Sequence, residues 1–303
     1  MIRTLSYNIS DIIDFINWTY FFHAWGFAMK YSAIANIHHC NACVKSWINS
    51  FPEKSERKCA AEASELYNDS LKLLSEFNGR YKSHARFGIF EANSNCDDII
   101  IYESHGKSHV LPCLRQQHDA EADTCLCLAD YIRPKAQNIK DHIGIFAATV
   151  DKDFEKRYAN DTYKHMLCQT LADRIAEATT ELMHLQVRRT YWGYAKNERL
   201  TKQEIFAEKF QGIRPAIGYP SLPDQSIIFI IDNIIDLSEI GIKLTDNGAM
   251  SPHASTCGLM FAHTKAKYFS VGKISEEQAD DYALRRKLPK EDIYKYLQSN
   301  LQK

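Results

Sequence analysis

The stretch from Arg214 to Asp224, RPAIGYPSLPD, holds three prolines and one glycine in eleven residues. Each proline holds φ near −65° and removes a backbone donor, so the segment can be neither a helix interior nor a central strand. Gly218 can take φ > 0, or let another group approach the backbone closely. The stretch is therefore a stiff loop with Arg214 and Tyr219 at fixed offsets. Such a loop suits ligand capture, because little ordering entropy remains to be lost on binding. A plain turn between two elements has the same composition, so the loop alone does not decide between them.

Around this loop, β-prone and helical segments come in clusters. Asn17 to Trp25 is aromatic-dense and predicts a short packed helix. Lys58 to Asn78 repeats apolar residues at helical spacing, with Gly79 placed as a C-cap. Ala85–Phe90, Ile99–Tyr102 and His109–Leu114 predict a meander or hairpin, and Ile143–Val150 a further strand. Phe154 to about Tyr191 predicts a long helix with one break, its apolar stripe marked by Ala172, Ile175, Ala176, Thr179, Leu182 and Met183. Lys202–Lys209 and Asp224–Asp236 predict helices. Lys243–Thr245, Thr256–Ala262 and Lys267–Val271 predict strands. Ser275 caps a helix from Glu276 to Arg286, with Glu277 and Gln278 near the capping-box position, and Lys290–Leu301 predicts a last helix. There is no β-α-β alternation and no Gly-rich loop after a strand, which disfavours a doubly wound nucleotide fold. The pattern predicts an α+β fold with a largely antiparallel sheet. With no Pro/Gly/Ser linker and no repeat, one domain is expected over residues 1–303, its helical N-terminal part reaching to about residue 80.

The chain's 37 Lys and Arg against 38 Asp and Glu leave a formal charge of −1. No basic stripe or charged tail points to nucleic acid. The N-terminus has no apolar signal core and no stretch is apolar enough to span a bilayer, so a cytoplasmic chain without membrane contact is expected.

Nine cysteines in a chain of this size, with no export signal, predict reduced thiols. HHCNAC, His38 to Cys43, contains enough ligands for zinc. A closed four-ligand site would have to wrap this one short group around the ion or recruit another cysteine such as Cys59. The segment also lacks the Gly-rich knuckle of zinc motifs and the βαβ context of redox motifs, so no metal is assigned. Cys125 and Cys127 are explained as buried small thiols.

A collinear series of segments covers nearly the whole chain: IDFINWTYFFHAW (Ile13–Trp25), IFEANSNCDDIIIY (Ile89–Tyr102), LRQQ (Leu114–Gln117), CLADYIRPK (Cys127–Lys135), DHIGIFAATV (Asp141–Val150) and QTLADRIAEA (Gln169–Ala178). It continues through RRTYWGYAKNERLTKQEIFAEKFQGIRP (Arg188–Pro215), KLTDNGAMSPHAS (Lys243–Ser255) and KYFSVGKISEEQADDYALRRK (Lys267–Lys287). With the Arg-x-x-x-Gly-Tyr-Pro loop, this series resembles the activation domain of cobalamin-dependent methionine synthase. The resemblance implies a single C-shaped α+β domain around a bent antiparallel sheet. It implies S-adenosylmethionine as ligand and cobalamin carried by a partner module. It also implies a flavodoxin-like reductant and a role in reductive remethylation rather than a self-contained reaction. The homocysteine, folate and cobalamin modules are absent from this sequence, and its length with Met1 suggests a separately encoded subunit acting in trans.

The resemblance further implies roles for individual residues. Arg214 would pair the ligand carboxylate in bidentate geometry. The backbone of Ala216 and Gly218 would reach the adenine edge. Tyr219 and Tyr268 would offer rings or hydroxyls to the cation, with Tyr219 nearest the corrin. Glu177 and Glu208 would be acidic groups near the ligand; read without the resemblance, each is placed on a solvated helix face. No catalytic base is expected. Two positions depart from the family. Asn17 stands in FINWT where an aspartate usually receives the amino group, which predicts a loss of about 1 kcal/mol. Ser251 stands where tryptophan is usual, which puts the pocket's shape in question. A docking module that kept the partner surface but lost the ligand is the alternative these two departures allow.

Overall fold

A 14-residue strand, β2 (Lys82–Asn95), organises the molecule. One of its edges pairs with β5 (Asp141–Val150) from Ser83 to Ala92. The other edge is shared end to end by β1 (Ile2–Asn8) and β3 (Asp98–Tyr102). Beyond β3 lies β4 (Ser108–Pro112), and beyond β5 lies β8 (Ser255–Met260), giving the order β4-β3-β2-β5-β8 with β1 beside β2. Every pairing is antiparallel. A separate hairpin joins β6 (Lys243–Leu244) to β7 (Met250–Ser251). This computed structural model describes residues 1–117 and 124–302.

The helices are α1 (Ile9–Ile12), α2 (Trp18–Ala24), α3 (Asn41–Asn49), α4 (Lys54–Phe77), α5 (Lys152–Glu155) and α6 (Thr162–Gln186). They continue with α7 (Lys202–Phe206), α8 (Ile227–Ile235), α9 (Glu276–Arg286) and α10 (Lys290–Tyr296). The sheet is covered on both faces, which is why β5 reads as an almost unbroken apolar run. On one face Ala85, Phe87, Phe146, Ala148 and Met260 join a core built with α4 and α6. On the other, Phe90, Ala92, Ile143, Ile145, Ala147 and Leu259 join one built with α8. The α+β class, the antiparallel sheet and the hairpin arrangement agree with the sequence.

The differences have local causes. β1 has no counterpart among the predicted segments: it is an edge strand that turns only Leu5 and Tyr7 toward the core. β2 runs well beyond Ala85–Phe90 because its ends are polar yet satisfied. Thr179 Oγ1 donates to Ser83 Oγ at 2.7 Å, Asn93 Nδ2 to the Ile139 carbonyl at 2.8 Å, and Ser94 Oγ to the Ile132 carbonyl at 2.8 Å. The long helix is broken once, between α5 and α6, where Tyr158 takes φ 60° and Asp161 caps α6. Lys267–Val271 is not a strand. Its groups face the proline loop instead, where the Val271 N–H donates to the Pro220 carbonyl at 2.9 Å. α7 stops at Phe206 rather than Lys209, because Glu208 turns left-handed at φ 55°. α8 begins only at Ile227, since Asp224 accepts from the Ser226 N–H and pairs with Arg286. α10 ends at Tyr296, and Leu301 bridges to Ile274.

Candidate functional site

The proline loop begins as a ribbon on the free edge of β8. Ile213 and Phe261 exchange backbone hydrogen bonds at 3.0 and 2.9 Å. The Leu259 N–H then donates to the Pro215 carbonyl at 3.0 Å, and the Ile217 N–H to the Cys257 carbonyl at 2.9 Å. Gly258 permits this approach. A Cβ there would overlap the Pro215 carbonyl oxygen and lie 2.7 Å from Ala216 Cα. Because the flanking Pro215 carbonyl and Ile217 N–H point at β8, the Ala216 N–H and C=O must point the other way. They face a cleft of about 940 Å³ enclosed by the ribbon, α6, the start of α2 and the Tyr268 segment.

Seven of the eight residues singled out in the sequence line this cleft: Asn17, Glu177, Glu208, Arg214, Ala216, Tyr219 and Tyr268. Gly218 does not. It takes φ 83° and donates its N–H to the Leu222 carbonyl at 2.8 Å, so its role is to turn the chain. Ser251 is exposed on β7 and is not among the residues that line the cleft.

Arg214 lies at the floor. Its backbone N–H donates to the Tyr268 hydroxyl at 3.0 Å, and its guanidinium pairs with Glu181. Both side chains are only 13% exposed. Burial opposes the charge on Arg214, but Glu181, Tyr268 and Glu208 outweigh it and hold the guanidinium firmly protonated. Behind it, His184 Nδ1 accepts from Arg188 at 2.9 Å and from Arg214 at 3.4 Å. With Nδ1 accepting twice, the ring proton sits on Nε2, facing the Tyr194 oxygen at 3.3 Å. Burial first, then the two guanidiniums, hold this imidazole well below its usual range and keep it neutral. Arg188, wholly buried, is anchored in turn by Glu198 at 2.7 Å.

Glu177 and Glu208 are near this centre, and burial pushes both carboxyl groups up despite nearby arginines. Glu177 accepts from Arg174 at 2.8 Å. Sequence reasoning missed Glu181, Arg174 and His184. Glu181 and His184 lie one and two turns beyond Glu177 on the same face of α6, and that spacing was the available signal. Asn17 caps α2, accepting the Thr19 N–H at 3.1 Å. Tyr219 and Tyr20, each 58% exposed, are the solvent-facing side chains of the cleft lining. The Ala216 carbonyl accepts the Tyr219 N–H at 3.3 Å, so the cleft can pair a carboxylate, offer the Ala216 N–H and the carbonyl's second lone pair to a planar ring, and surround a cation with acids and aromatic faces.

Residues 8–287 match the family model described as the activation domain of vitamin B12 dependent methionine synthase. Among solved structures the chain is similar to a crystal structure of the MetH reactivation domain bound to AdoHcy. The two are 32% identical with a TM-score of 0.88, and the match covers 100% of this chain and 91% of that one. No helix among the described residues is long and apolar enough to cross a membrane. With its fold, its cleft and its matched span in agreement, the chain belongs to the activation-domain family of vitamin B12 dependent methionine synthase.

Proposed function

We propose that the cleft binds S-adenosylmethionine and presents its methyl group for reductive remethylation of cobalamin carried by a partner module. The supporting observation is the composition of the cleft wall. Three glutamates, Glu177, Glu181 and Glu208, face two arginines, Arg174 and Arg214, which leaves a surplus negative charge. The ligand carries one carboxylate and two cations, an ammonium and a sulfonium, and complements that surplus. The cleft's volume also lies within the range of about 300–1,000 Å³ common for small-molecule sites.

When bound, the ligand supplies an electrophilic methyl group and the partner's corrinoid supplies the reducible cobalt. The chain itself holds and orients. Arg214 takes the carboxylate, the Ala216 amide meets the adenine edge, and Tyr219 and Tyr268 lie against the cation. Asn17 receives the amino group through an amide oxygen already engaged at the α2 cap. No general base is called for, so the contribution is proximity and orientation. Tyr219, solvent-facing in the cleft lining, is the side chain nearest the corrin. A cytoplasmic setting and a flavodoxin-like reductant complete the proposal.

Calorimetric titration of S-adenosylmethionine into the purified chain tests this. Micromolar-range binding is expected, and no binding at millimolar ligand would overturn it. Arg214 is paired with Glu181, and Asn17 is uncharged. These observations favour, as a second reading, a docking module that has lost the ligand. That reading predicts complex formation with a cobalamin-loaded partner whether or not S-adenosylmethionine is present.

A further inference from the structure

Outside the cleft, the chain brings together three soft ligands. His38, Cys40 and Cys43 place one ligand atom each within 4.8 Å of the others. Among the described residues this is the one group of three or more His, Cys, Asp or Glu side chains able to hold an ion. Cys59, which the sequence suggested as a recruit, is not a member.

The local fold explains the convergence. Cys40 is the N-cap of α3, and its sulfur accepts the Cys43 N–H at 3.4 Å. The CxxC spacing therefore places Cys43 in the first turn, on the same side as Cys40. His38 lies two residues earlier, after the 3₁₀ helix Met29–Asn36, and its Nδ1 accepts the Cys40 N–H at 3.4 Å. Neighbouring His39 is turned away and stacks on Tyr67 with ring centroids 5.0 Å apart. Cys40 is exposed and Cys43 partly buried, so an ion can reach both thiols from solvent. Tetrahedral zinc, with bonds of about 2.3 Å to sulfur and 2.0 Å to nitrogen, needs ligand atoms about 3.5–3.8 Å apart. With all three separations at or below 4.8 Å, the ligand atoms lie within about an ångström of that spacing.

We propose that His38, Cys40 and Cys43 form a three-ligand site for a thiophilic divalent cation of the zinc class, with its fourth position open to water or an external ligand. Two thiolates and one imidazole select such an ion over magnesium or calcium, which take oxygen ligands. Binding clips the segment before α3 to that helix's first turn. α3 packs on α4, so the ion braces the helical region far from the proline loop in sequence.

The test uses the reduced, chelator-treated chain. Cobalt(II) alone is titrated in and the thiolate-to-cobalt absorption is followed, then zinc(II) is added in competition. One equivalent of cobalt, with bands typical of tetrahedral two-sulfur coordination and displaced by zinc, is expected. Cys40→Ser and Cys43→Ser should each abolish stoichiometric binding, and His38→Ala should weaken it. All three positions are at or near the surface, and circular dichroism checks that each variant folds. Absence of a thiolate band in the reduced wild type would overturn the proposal. So would a full band in the Cys40→Ser/Cys43→Ser double variant, since other cysteines would then be the ligands.

Discussion

Replacing Arg214 with alanine leaves Glu181 in place without its countercharge. Both side chains are 13% exposed, and the second carboxylate oxygen of Glu181, Oε2, is buried with no hydrogen-bond partner. Removing one partner of a buried ion pair costs about 3–5 kcal/mol. Water in the open cleft reaches part of the carboxylate, so the low end applies, about 3 kcal/mol. At roughly 2 °C per kcal/mol for a chain of this length, Arg214→Ala should melt about 6 °C below wild type. The double variant Arg214→Ala/Glu181→Gln removes both charges and should recover about 2 kcal/mol of that loss. Scanning calorimetry without ligand at pH 7 measures both shifts. A single variant within about 1 kcal/mol of wild type would refute the buried-pair account, as would a double variant no more stable than the single one. Ligand binding should be absent from both, so Arg214→Ala alone confounds lost affinity with lost stability.

Three further outcomes are expected. Asn17→Asp should tighten S-adenosylmethionine binding several-fold, about 1 kcal/mol, because aspartate keeps the α2 cap and adds the charge facing the amino group; unchanged affinity by calorimetry would count against Asn17 as an amino-group partner. Gly258→Ala should lower stability by about 1–3 kcal/mol in chemical denaturation, since the new Cβ meets the Pro215 and Ala216 backbone rather than a flexible side chain; a neutral result would mean the ribbon is not held against β8. His184, faced by Arg188, Arg214 and Tyr194, has a depressed folded value, so the unfolded chain takes up its proton first as pH falls. Its contribution is whole above about pH 6.5 and is lost below it, and His184→Gln, which keeps an acceptor, should flatten the fall in urea midpoint between about pH 6.5 and 5. Parallel profiles for the variant and wild type would disprove that.

What could be read from the sequence was what depends on short spans. The stiffness of RPAIGYPSLPD, the Ser275 cap and the stripe of α6 are all decided within a few residues. The family pattern added Arg214, Glu177, Glu208 and Tyr268, and the cleft brings them together. Glu181 stayed hidden because its role is set by a partner 33 positions downstream, and a polar residue at helical spacing otherwise reads as solvated surface. His184 stayed hidden for the same reason, its neutrality being imposed by two arginines from different segments. Lys267–Val271 has strand-like residues, but the Ile213–Ile217 ribbon already holds the free edge of β8, leaving no edge for it to join. A strand needs a partner as well as a composition, and no local pattern reports whether the partner is taken.

The surplus charge in the cleft separates two tasks that one ligand sets. The carboxylate of the proposed ligand is the same before and after methyl transfer, so Arg214 would hold donor and demethylated product alike. The sulfonium is lost on transfer, so only the acids can tell the two apart. Burial raises Glu177 and Glu208, and with Glu181 on Arg214 and Glu177 on Arg174 the surplus negative charge rests with Glu208. The sulfonium of the proposed ligand would supply a countercharge there, and its loss on methyl transfer would withdraw it. On the proposed function the acids would bind the charged donor more tightly than the neutral thioether, while Arg214 would add affinity to both. Because both sets of groups line one cleft, donor and product would be told apart there by the charge of the sulfur alone.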